Sequence, residues 1–570
     1  MQLVKAMLKT LLILAGLAVF AVLILASILI ISPKTTILGY SYVNNNTTTH
    51  NVPTNYLSDV GDAYDPNNYD TIVVNGGSAD IVFSPYVDYG NAIYVEIDDQ
   101  IKGFRKINET AETVNNDEDE TNDIDYSKIS VDISLSDGIL TFNINEPTGL
   151  VLYGTSRVVV YLPEGALTDK EYVVDATNGD LSYDFITPYG FDFANRNDTT
   201  EYIAIKKLTA DLTKGSLLID DASILSASIP ALIDETPLPG ETTEDTTIRL
   251  ATLLSEQTGL NITGNPKVIE INKALQGHIN VDVTNSAIKF LANVTGDINV
   301  KAKNSSISAT TIIGDLVYSG VSGYITATSI DGDYTIYTTL NCDTIIGRID
   351  GSVYVGGEET GLGSVAIDEI IGDTTITTYR GNINIEKLYG VTIIETKYGN
   401  ITIDEMYNQI DITTEYGTID LTMALYITGT TPTDDYDIKI RGKDGDILVN
   451  NVKGFLDLAV LTEGTADVTV NFAKIAQSPA DAELVKVNTI ITQKGAVNIS
   501  IKTNSNFTFS MSSQTNATLA TILKTIADLV DLEYKTITNA VYNYSDDVIA
   551  ANSFISIISS TGKITITLVD

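Results

Sequence analysis

Hydrophobic and polar residues alternate in short stretches through the centre of the chain, and each stretch begins at a turn-forming residue. These turn residues recur every nine positions, first as Gly296, Ser305, Gly314, Gly323, Gly332 and Asn341. After one slip in phase, at an insertion around Gly356 and Gly357, the same step resumes as Gly363, Gly372, Gly381, Gly390, Gly399, Asn408 and Gly417. Such residues favour tight turns, so their fixed recurrence predicts a repeat architecture.

The second and fourth positions after each turn residue carry hydrophobic side chains, and the position between them is usually polar. The fourth positions are all apolar, namely Val300, Ala309, Tyr318, Ala327, Ile336, Ile345, Ile367, Ile376, Ile385, Ile394, Ile403, Ile412 and Leu421. The second positions are mostly apolar, as in Ile298, Ile307, Leu316, Ile325, Ile383, Ile401, Ile410 and Ile419. A period of two places these side chains on one face of a strand, so we predict that both sets point inward.

Alternate units resemble each other more closely than neighbours do. The unit from Gly381 to Tyr389 matches the unit from Gly399 to Tyr407, whereas the units that begin at Gly390 and Asn408 differ at their seventh position. We therefore predict an all-β fold, a parallel β-solenoid or β-helix with coils of about 18 residues and two strands. Coils stacked about 4.8 Å apart would place Ile on Ile and Tyr on Tyr. Weaker copies on both sides extend the predicted solenoid over residues 69–570.

The N-terminal region contains a long apolar run from Leu11 to Ile31. A helix of this length spans the ~30 Å of hydrocarbon in a bilayer, and it exceeds the apolar region of a cleaved signal peptide, which has about 7–15 residues. The run predicts a transmembrane helix over residues 10–31. A signal peptide cleaved near Ala26 is the alternative.

Positive charge near the apolar run predicts its orientation. Lys5 and Lys9 lie in the short segment 1–9, which the positive-inside rule keeps in the cytoplasm. The bulk of the chain is then extracytoplasmic, and the protein is a single-pass protein of the cell membrane. Residues 32–68 are polar, without clear periodicity, and we interpret them as a spacer.

Two polar segments interrupt the predicted solenoid. Residues 115–125 form an acidic loop and residues 229–247 form an insertion that contains proline and glutamate. Calcium binding and simple solvation are both open for the acidic loop, although its spacing lacks the central glycine of a known calcium loop. The acidic residues are Asp117, Glu118, Asp119, Glu120, Asp123 and Asp125.

Composition limits the partners, metal sites and catalytic groups that the chain can have. The 570 residues include 34 basic and 74 acidic residues, and the net charge of -40 repels phosphate backbones, so nucleic acid is not expected as a partner. Cys342 is the single cysteine, which excludes an intrachain disulfide, and His50 and His278 are too few for a histidine metal cluster. We assign no catalytic, cofactor-binding or metal-binding residue and expect no cofactor. Cys342 is expected to pack as a small apolar residue.

A row of carboxylates and a set of threonines, both predicted to face outward, suggest alternative functions. Asp368, Glu386 and Asp404 recur every 18 residues and would form a carboxylate ladder, and paired carboxylates are the catalytic groups of glycoside hydrolases. A catalytic pair belongs to one place in a molecule, so regular recurrence favours a repeat feature. Outward threonines would also suit an ice or mineral surface, but threonine is a common strand residue. Those threonines include Thr326, Thr335, Thr375 and Thr402.

Four segments in a consistent order resemble the bacterial putative-adhesin family, whose domain is built of strands that begin at Gly-Asp. They are Asn75–Phe83, Leu135–Phe142, Val158–Gly165 and Thr177–Asp180. The resemblance implies a β-solenoid and a role in adhesion, and it implies no catalytic residues.

These observations favour a membrane-anchored cell-surface module for adhesion or envelope interaction, without catalytic activity. Its expected partners are the membrane, through the N-terminal helix, and a surface polysaccharide or a protein ligand. An envelope-sensing or scaffold protein is the second hypothesis, and a carbohydrate-active β-helix enzyme is the third. The third hypothesis requires a localised carboxylate cleft, whereas the first requires a polar face that repeats along the solenoid.

Overall fold

A computed structural model describes the chain over many separate ranges, and the statements below concern these residues. The ranges are 40–44, 47–49, 66–77, 79–86, 93–106, 130–145, 149–163, 170–176, 181–183, 207–219, 259–272, 275–357, 363–423, 437–452, 457–472, 486–502, 507–513, 539–544, 553–560 and 564–569, with Ala15, Val19, Val22, Leu23 and Leu25. The fold is all-β, as predicted, with one short 3-10 turn at Pro66–Asn68. Two compact units divide the chain, Met1–Gly277 and His278–Asp570.

The first unit contains fifteen strands. They are β1 (Tyr40–Asn44), β2 (Thr47–Thr49), β3 (Thr71–Gly76), β4 (Asp80–Tyr86), β5 (Tyr94–Lys106), β6 (Ser130–Ser136), β7 (Ile139–Asn145), β8 (Gly149–Pro163), β9 (Glu171–Ala176), β10 (Leu181–Tyr183), β11 (Lys207–Leu212), β12 (Leu217–Ile219), β13 (Gly259–Gly264), β14 (Val268–Ile271) and β15 (Leu275–Gln276). Two of them, β1 and β2, lie in the segment interpreted as a spacer.

Parallel rows form the centre of the first unit, and antiparallel strands cover one margin. One row runs β7-β3-β9-β11-β13 and the other runs β8-β4-β10-β12-β14. Strand β6 pairs antiparallel with β7, β5 pairs antiparallel with β8, and β1 and β2 pair with β5. The sequence pattern predicts the parallel rows but not these antiparallel strands. Their pairing covers backbone groups that a parallel coil would otherwise leave open at its edge.

The second unit contains the regular repeats and twenty-five strands. They are β16 (His278–Thr284), β17 (Ala287–Phe290), β18 (Val294–Thr295), β19 (Ile298–Lys303), β20 (Ser305–Ile313), β21 (Leu316–Asp331), β22 (Tyr334–Ile349), β23 (Val353–Gly357), β24 (Val365–Ile370), β25 (Thr374–Thr378), β26 (Ile383–Leu388), β27 (Thr392–Thr396), β28 (Ile401–Met406), β29 (Ile410–Thr414), β30 (Ile419–Met423), β31 (Asp437–Gly442), β32 (Ile447–Val452), β33 (Asp457–Thr462), β34 (Val468–Phe472), β35 (Lys486–Thr492), β36 (Val497–Lys502), β37 (Phe507–Ser513), β38 (Asn539–Tyr544), β39 (Ser553–Ser559) and β40 (Ile564–Val569).

Two parallel rows run through the second unit, and each coil contributes one strand segment to each row. The long strands β21 and β22 pass from one row to the other, whereas separate strands follow from β23 onward. In the centre, one row runs β24-β26-β28-β30 and the other runs β25-β27-β29. Hydrogen-bonded partners such as Asn382 and Asn400 are 18 residues apart. The predicted two-strand coil of about 18 residues is confirmed here.

Inward side chains fill the space between the rows. Ile376, Ile394 and Ile412 lie on successive coils of one row and are each 0% exposed. Ile385 and Ile403 occupy the equivalent positions of the other row and are equally buried. Each such isoleucine removes its apolar surface from water by contact with its counterparts above and below, which stabilises the fold by about 1.5–3 kcal/mol per side chain. The coils therefore depend on stacking for their core.

The prediction is wrong for one of the inward positions. Ile345 is 50% exposed, and its neighbour Ile346 is 1% exposed and takes the inward position. The cause is an irregularity in β22, where the pairing with β21 shifts register between Gly320 and Ser322. One extra residue changes the face of every side chain that follows it in a strand. Consequently Cys342, not Asn341, pairs with the turn glycine Gly323.

Between Gly296 and Gly417 the repeat also loses phase twice rather than once. The first shift is the irregularity in β22, after which hydrogen-bonded turn residues are 19 apart, as for Asp333 and Ser352. The second lies between β23 and β24, where Asp343 and Ser364 are 21 apart. Gly356 and Gly357, which the sequence placed in an insertion, end strand β23. The first shift is not visible in the sequence, because Asn341 lies nine residues after Gly332 and is itself a turn-forming residue.

Two turn glycines show why the repeat needs a residue without a side chain. A Cβ atom added at Gly381 would overlap the carbonyl oxygen of Gly363 in the preceding coil, and one added at Gly399 would overlap that of Gly381. Successive coils thus approach each other most closely at their turns, and glycine permits this approach.

The predicted transmembrane helix is not tested by these residues. Five described residues of the apolar run, Ala15, Val19, Val22, Leu23 and Leu25, are helical and exposed, and the rest of segment 10–31 lies outside the described residues. Within the described part of the chain, no helix has the length and apolar character needed to cross a membrane. The acidic loop 115–125 and the insertion 229–247 also lie outside it.

Candidate interaction surface

The Gly-Asp motifs of the sequence form a ladder of hydrogen bonds between coils. The carboxylate Oδ1 of Asp297 accepts the backbone N–H of Asp315 at 3.0 Å, and that of Asp315 accepts the backbone N–H of Asp333 at 2.8 Å. Asn382 and Asn400 repeat the contact at other turns, with Asn400 Oδ1 accepting the N–H of Thr418 at 2.9 Å. The Asp or Asn that follows these turn glycines therefore has a structural role, since it satisfies a backbone donor of the next coil.

The turns that contain Gly381, Gly399 and Gly417 project side chains outward. Thr396 Oγ1 accepts the N–H of Gly399 at 3.1 Å, and Thr414 Oγ1 accepts the N–H of Gly417 at 3.0 Å. Both threonines are buried, so each holds its turn from inside the coil. The two residues between each threonine and glycine then point toward solvent.

Three tyrosines follow one another along these turns. The rings of Tyr379 and Tyr398 have centroids 5.2 Å apart in an edge-to-face arrangement. The rings of Tyr398 and Tyr416 are stacked, with centroids 4.9 Å apart and planes at 9°. Tyr398 is 40% exposed and Tyr416 is 42% exposed. The predicted stacking of Tyr on Tyr is confirmed, and the stack offers aromatic surface to solvent.

Three basic side chains lie beside these rings. The guanidinium of Arg380 is 5.2 Å from the ring centroid of Tyr398, Lys397 Nζ is 5.7 Å from that of Tyr379, and Lys443 Nζ is 5.6 Å from that of Tyr416. These distances are typical of cation–π contacts. We call the six residues Tyr379, Arg380, Lys397, Tyr398, Tyr416 and Lys443 the tyrosine–cation corner.

Carboxylates neutralise only part of the positive charge at this corner. Lys397 Nζ lies 3.5 Å from a carboxylate oxygen of Glu415. Asp444 accepts hydrogen bonds from the backbone and the hydroxyl of Thr465, and these bonds, together with the charges of Lys443 and Lys494, lower the pKa of Asp444 below its usual range. Among the described residues, Arg380 and Lys443 form no ion pair, although the charge of Lys443 acts on the carboxylate of Asp444. The corner thus combines three basic side chains with the two carboxylates Glu415 and Asp444, on a chain with a net charge of -40.

The opposite turns carry a second tyrosine stack with different neighbours. Tyr389 and Tyr407 have centroids 4.4 Å apart and planes at 11°. The hydroxyl of Tyr407 donates a hydrogen bond of 2.6 Å to the carboxylate of Glu405, and that bond raises the pKa of Tyr407 above its usual value. We call Tyr389, Tyr407 and Glu405 the tyrosine–carboxylate corner.

The carboxylate row predicted from the sequence faces solvent. Asp368, Glu386 and Asp404 are all exposed and lie on strands that pair in register. Among the described residues no group of three or more histidine, cysteine or acidic side chains has the arrangement of a metal site. The three carboxylates form a repeating row, and the structure does not gather them into a cleft. The outward threonines Thr326, Thr335, Thr375 and Thr402 are half-buried on separate strands.

Cys342 occupies a turn position inside the coil. It is 5% exposed, and burial raises the pKa of its thiol to about 12. A thiol with so high a pKa holds its proton at neutral pH and is a poor nucleophile. Its small size suits a position that other coils fill with glycine, so the expectation of a packing role is confirmed.

No protein-family model, curated protein or solved structure matches the chain. The resemblance to the bacterial putative-adhesin family therefore rests on the four sequence segments. The structure places parts of two of them side by side, because Ile81 of β4 pairs in parallel with Val158 of β8.

The sequence pattern predicted tyrosine ladders but not the charge that surrounds them. Arg380 directly follows Tyr379, and Lys397 directly precedes Tyr398, so the basic residues sit on opposite sides of tyrosine in successive coils. Folding brings them together because the register that pairs Thr378 with Thr396 continues into the turn, where it places Tyr379 beside Lys397 and Arg380 beside Tyr398. The sequence does show basic residues next to the turn tyrosines. This pattern is a weak indication of a binding surface, because the pairing of the coils is needed to show which residues come together.

Proposed function

We propose that the chain is a membrane-anchored cell-surface β-solenoid that acts as an adhesion or envelope-interaction module, without catalytic activity. The observation that supports this proposal is the in-register repetition of outward side chains between Val365 and Met423. Because each outward position recurs on the next coil, an extended ligand meets several equivalent contacts. Contacts that are weak one by one gain strength when a single ligand engages many of them.

The predicted anchor supports a location at the cell surface. The run from Leu11 to Ile31 is long enough for a transmembrane helix, and Lys5 and Lys9 favour a cytoplasmic N-terminus. The chain that follows this predicted helix then lies outside the membrane. The resemblance to the putative-adhesin family agrees with this proposal.

Surface display of the full chain tests the proposal. A non-adherent bacterial host would carry either the full chain or a control truncated after residue 68, which keeps the anchor and the spacer. We expect protease treatment of intact cells to remove the outer part, and we expect the full chain to increase retention of cells on polysaccharide or cell-surface coatings several-fold. Equal retention of both strains on every coating contradicts the proposal.

Other outcomes of the same experiment identify the competing functions. A stoichiometric complex with one envelope protein, without retention of cells, indicates a sensor or scaffold. Release of new reducing ends from a polysaccharide coating indicates a carbohydrate-active enzyme, and replacing Glu386 by Gln should then reduce that release.

A further inference from the structure

We propose that the tyrosine–cation corner binds an acidic polysaccharide, with the polymer lying along the solenoid axis across the turns at Tyr379, Tyr398 and Tyr416. This inference rests on the proposed function, because it names the ligand class of an adhesion surface. Three features of the corner support it: its exposed rings, its basic side chains and its repetition along the axis.

The exposed rings provide flat apolar surface for sugar rings. Tyr398 and Tyr416 are stacked with planes at 9°, and each keeps about two fifths of its surface in water. A tyrosine side chain has few rotatable bonds and combines an apolar ring with a polar hydroxyl, so it binds amphipathic ligands at a low entropic cost. A sugar ring has apolar C–H faces and polar edges, which match both parts of the side chain.

The basic side chains beside the rings favour a negatively charged ligand. Arg380 and Lys443 flank the stack from its two ends, and within the described ranges neither has an ion pair. A guanidinium offers paired donors that match the two oxygens of a carboxylate or sulfate group. An uncharged polysaccharide would leave these cations without partners, so the corner favours an acidic polymer.

The geometry of the corner favours a polymer over a small molecule. Backbone hydrogen bonds from Tyr398 to Tyr379 and from Tyr416 to Lys397 keep the turns one coil apart, which is about 4.8 Å. The contact groups therefore form a line along the axis rather than a pocket. A chain of sugar units can place successive rings and acid groups along such a line.

The charge of the remaining surface confines a polyanion to this line. The chain has a net charge of -40, and the tyrosine–carboxylate corner presents Glu405 beside its rings. Like charges on those surfaces repel an acidic polymer. The local excess of cations at the tyrosine–cation corner makes it the favoured place of contact.

Equilibrium binding of polygalacturonate to the purified full chain, in a mild detergent, tests this inference. We expect Tyr398→Ala with Tyr416→Ala to weaken binding by about tenfold or more, because two stacking surfaces are lost. Arg380→Gln with Lys443→Gln should weaken binding by about tenfold as well, because the polymer loses its charge partners. Tyr389→Ala is the matched aromatic control and Lys301→Gln is the matched charge control, and both should leave affinity within about twofold.

Comparison ligands identify the outcomes that overturn the inference. If uncharged dextran binds as tightly as polygalacturonate, the site does not depend on the charge of the polymer. If polyglutamate binds equally tightly, the site is one for acidic peptides. If oligothymidylate binds more tightly than polygalacturonate, the site is one for nucleic acid. Equal loss with the control variants places binding elsewhere. If displayed cells are retained on their coatings but these variants have no effect, the adhesion proposal stands and this site is wrong.

Discussion

The two tyrosine corners of the same coils have similar aromatic geometry and different charged groups beside their rings. Tyr398 and Tyr416 stack with centroids 4.9 Å apart, and Tyr389 and Tyr407 stack with centroids 4.4 Å apart. Cations lie beside the first pair, whereas Glu405 is hydrogen-bonded to the second. Stacking is thus a product of the repeat at both corners. The cation–π contacts beside the rings are what distinguish a candidate binding surface from a structural stack.

The largest expected effect concerns the turn glycines, on which both corners depend. Gly381→Val at one corner and Gly390→Val at the other should each destabilise the fold by about 3 kcal/mol or more, because the new side chain overlaps the preceding coil. Urea denaturation followed by circular dichroism measures the change. As a control, Gly138 has a φ of 79° and open space around it, so Gly138→Asn should be nearly neutral. A tolerated valine at either turn would contradict the close stacking of the coils.

A smaller effect is expected at the residue after the turn glycine. Asn400→Ala removes the acceptor of the Thr418 N–H, and Asp373→Ala removes the acceptor of the Val391 N–H, which lies at 2.9 Å at the opposite corner. Each change should lower the free energy of unfolding by about 1 kcal/mol. Asn400→Asp and Asp373→Asn keep an acceptor oxygen and should restore most of the stability. Equal loss in all four variants would show that the hydrogen bonds do not matter.

The smallest expected effect is a shift of two tyrosine pKa values in opposite directions. The hydrogen bond to Glu405 raises the pKa of Tyr407, so Glu405→Gln should lower that pKa toward its usual value. Contact with Tyr379 raises the pKa of Tyr398 and the charge of Lys397 opposes the rise, so Lys397→Gln should raise the pKa of Tyr398 further. Tyrosinate absorbance across a titration, compared with Tyr407→Phe and Tyr398→Phe, assigns each shift. Shifts of the same sign would mean that the two corners do not differ in charge.

Most of the architecture follows from the sequence because a strict period leaves little freedom. The period of two and the nine-residue turn step predicted the buried rows, the two-strand coil and the tyrosine stacks. The position of Ile345 was not predictable in this way, because a single extra residue within β22 leaves the local alternation intact while it reverses the face. The antiparallel strands of the first unit carry no repeat and were missed for that reason.

The candidate surface was harder to predict than the fold. Charge at a corner depends on residues from different coils, such as Arg380 and Lys443, which are far apart in sequence. Their approach to the same stack requires the pairing register, which includes partners as far apart in sequence as Ile410 and Ile438. Sequence spacing therefore indicates the stack, whereas the structure is needed to place the cations.

Hydroxyl-radical footprinting of the full chain with and without polygalacturonate compares the two corners most directly. Both tyrosine stacks lie in one molecule, so each serves as the internal reference for the other. We expect protection of Tyr398 and Tyr416 on addition of the polymer, with unchanged oxidation of Tyr389 and Tyr407. Protection of Tyr389 and Tyr407 instead, or no protection of either pair at saturating polymer, would contradict this expectation.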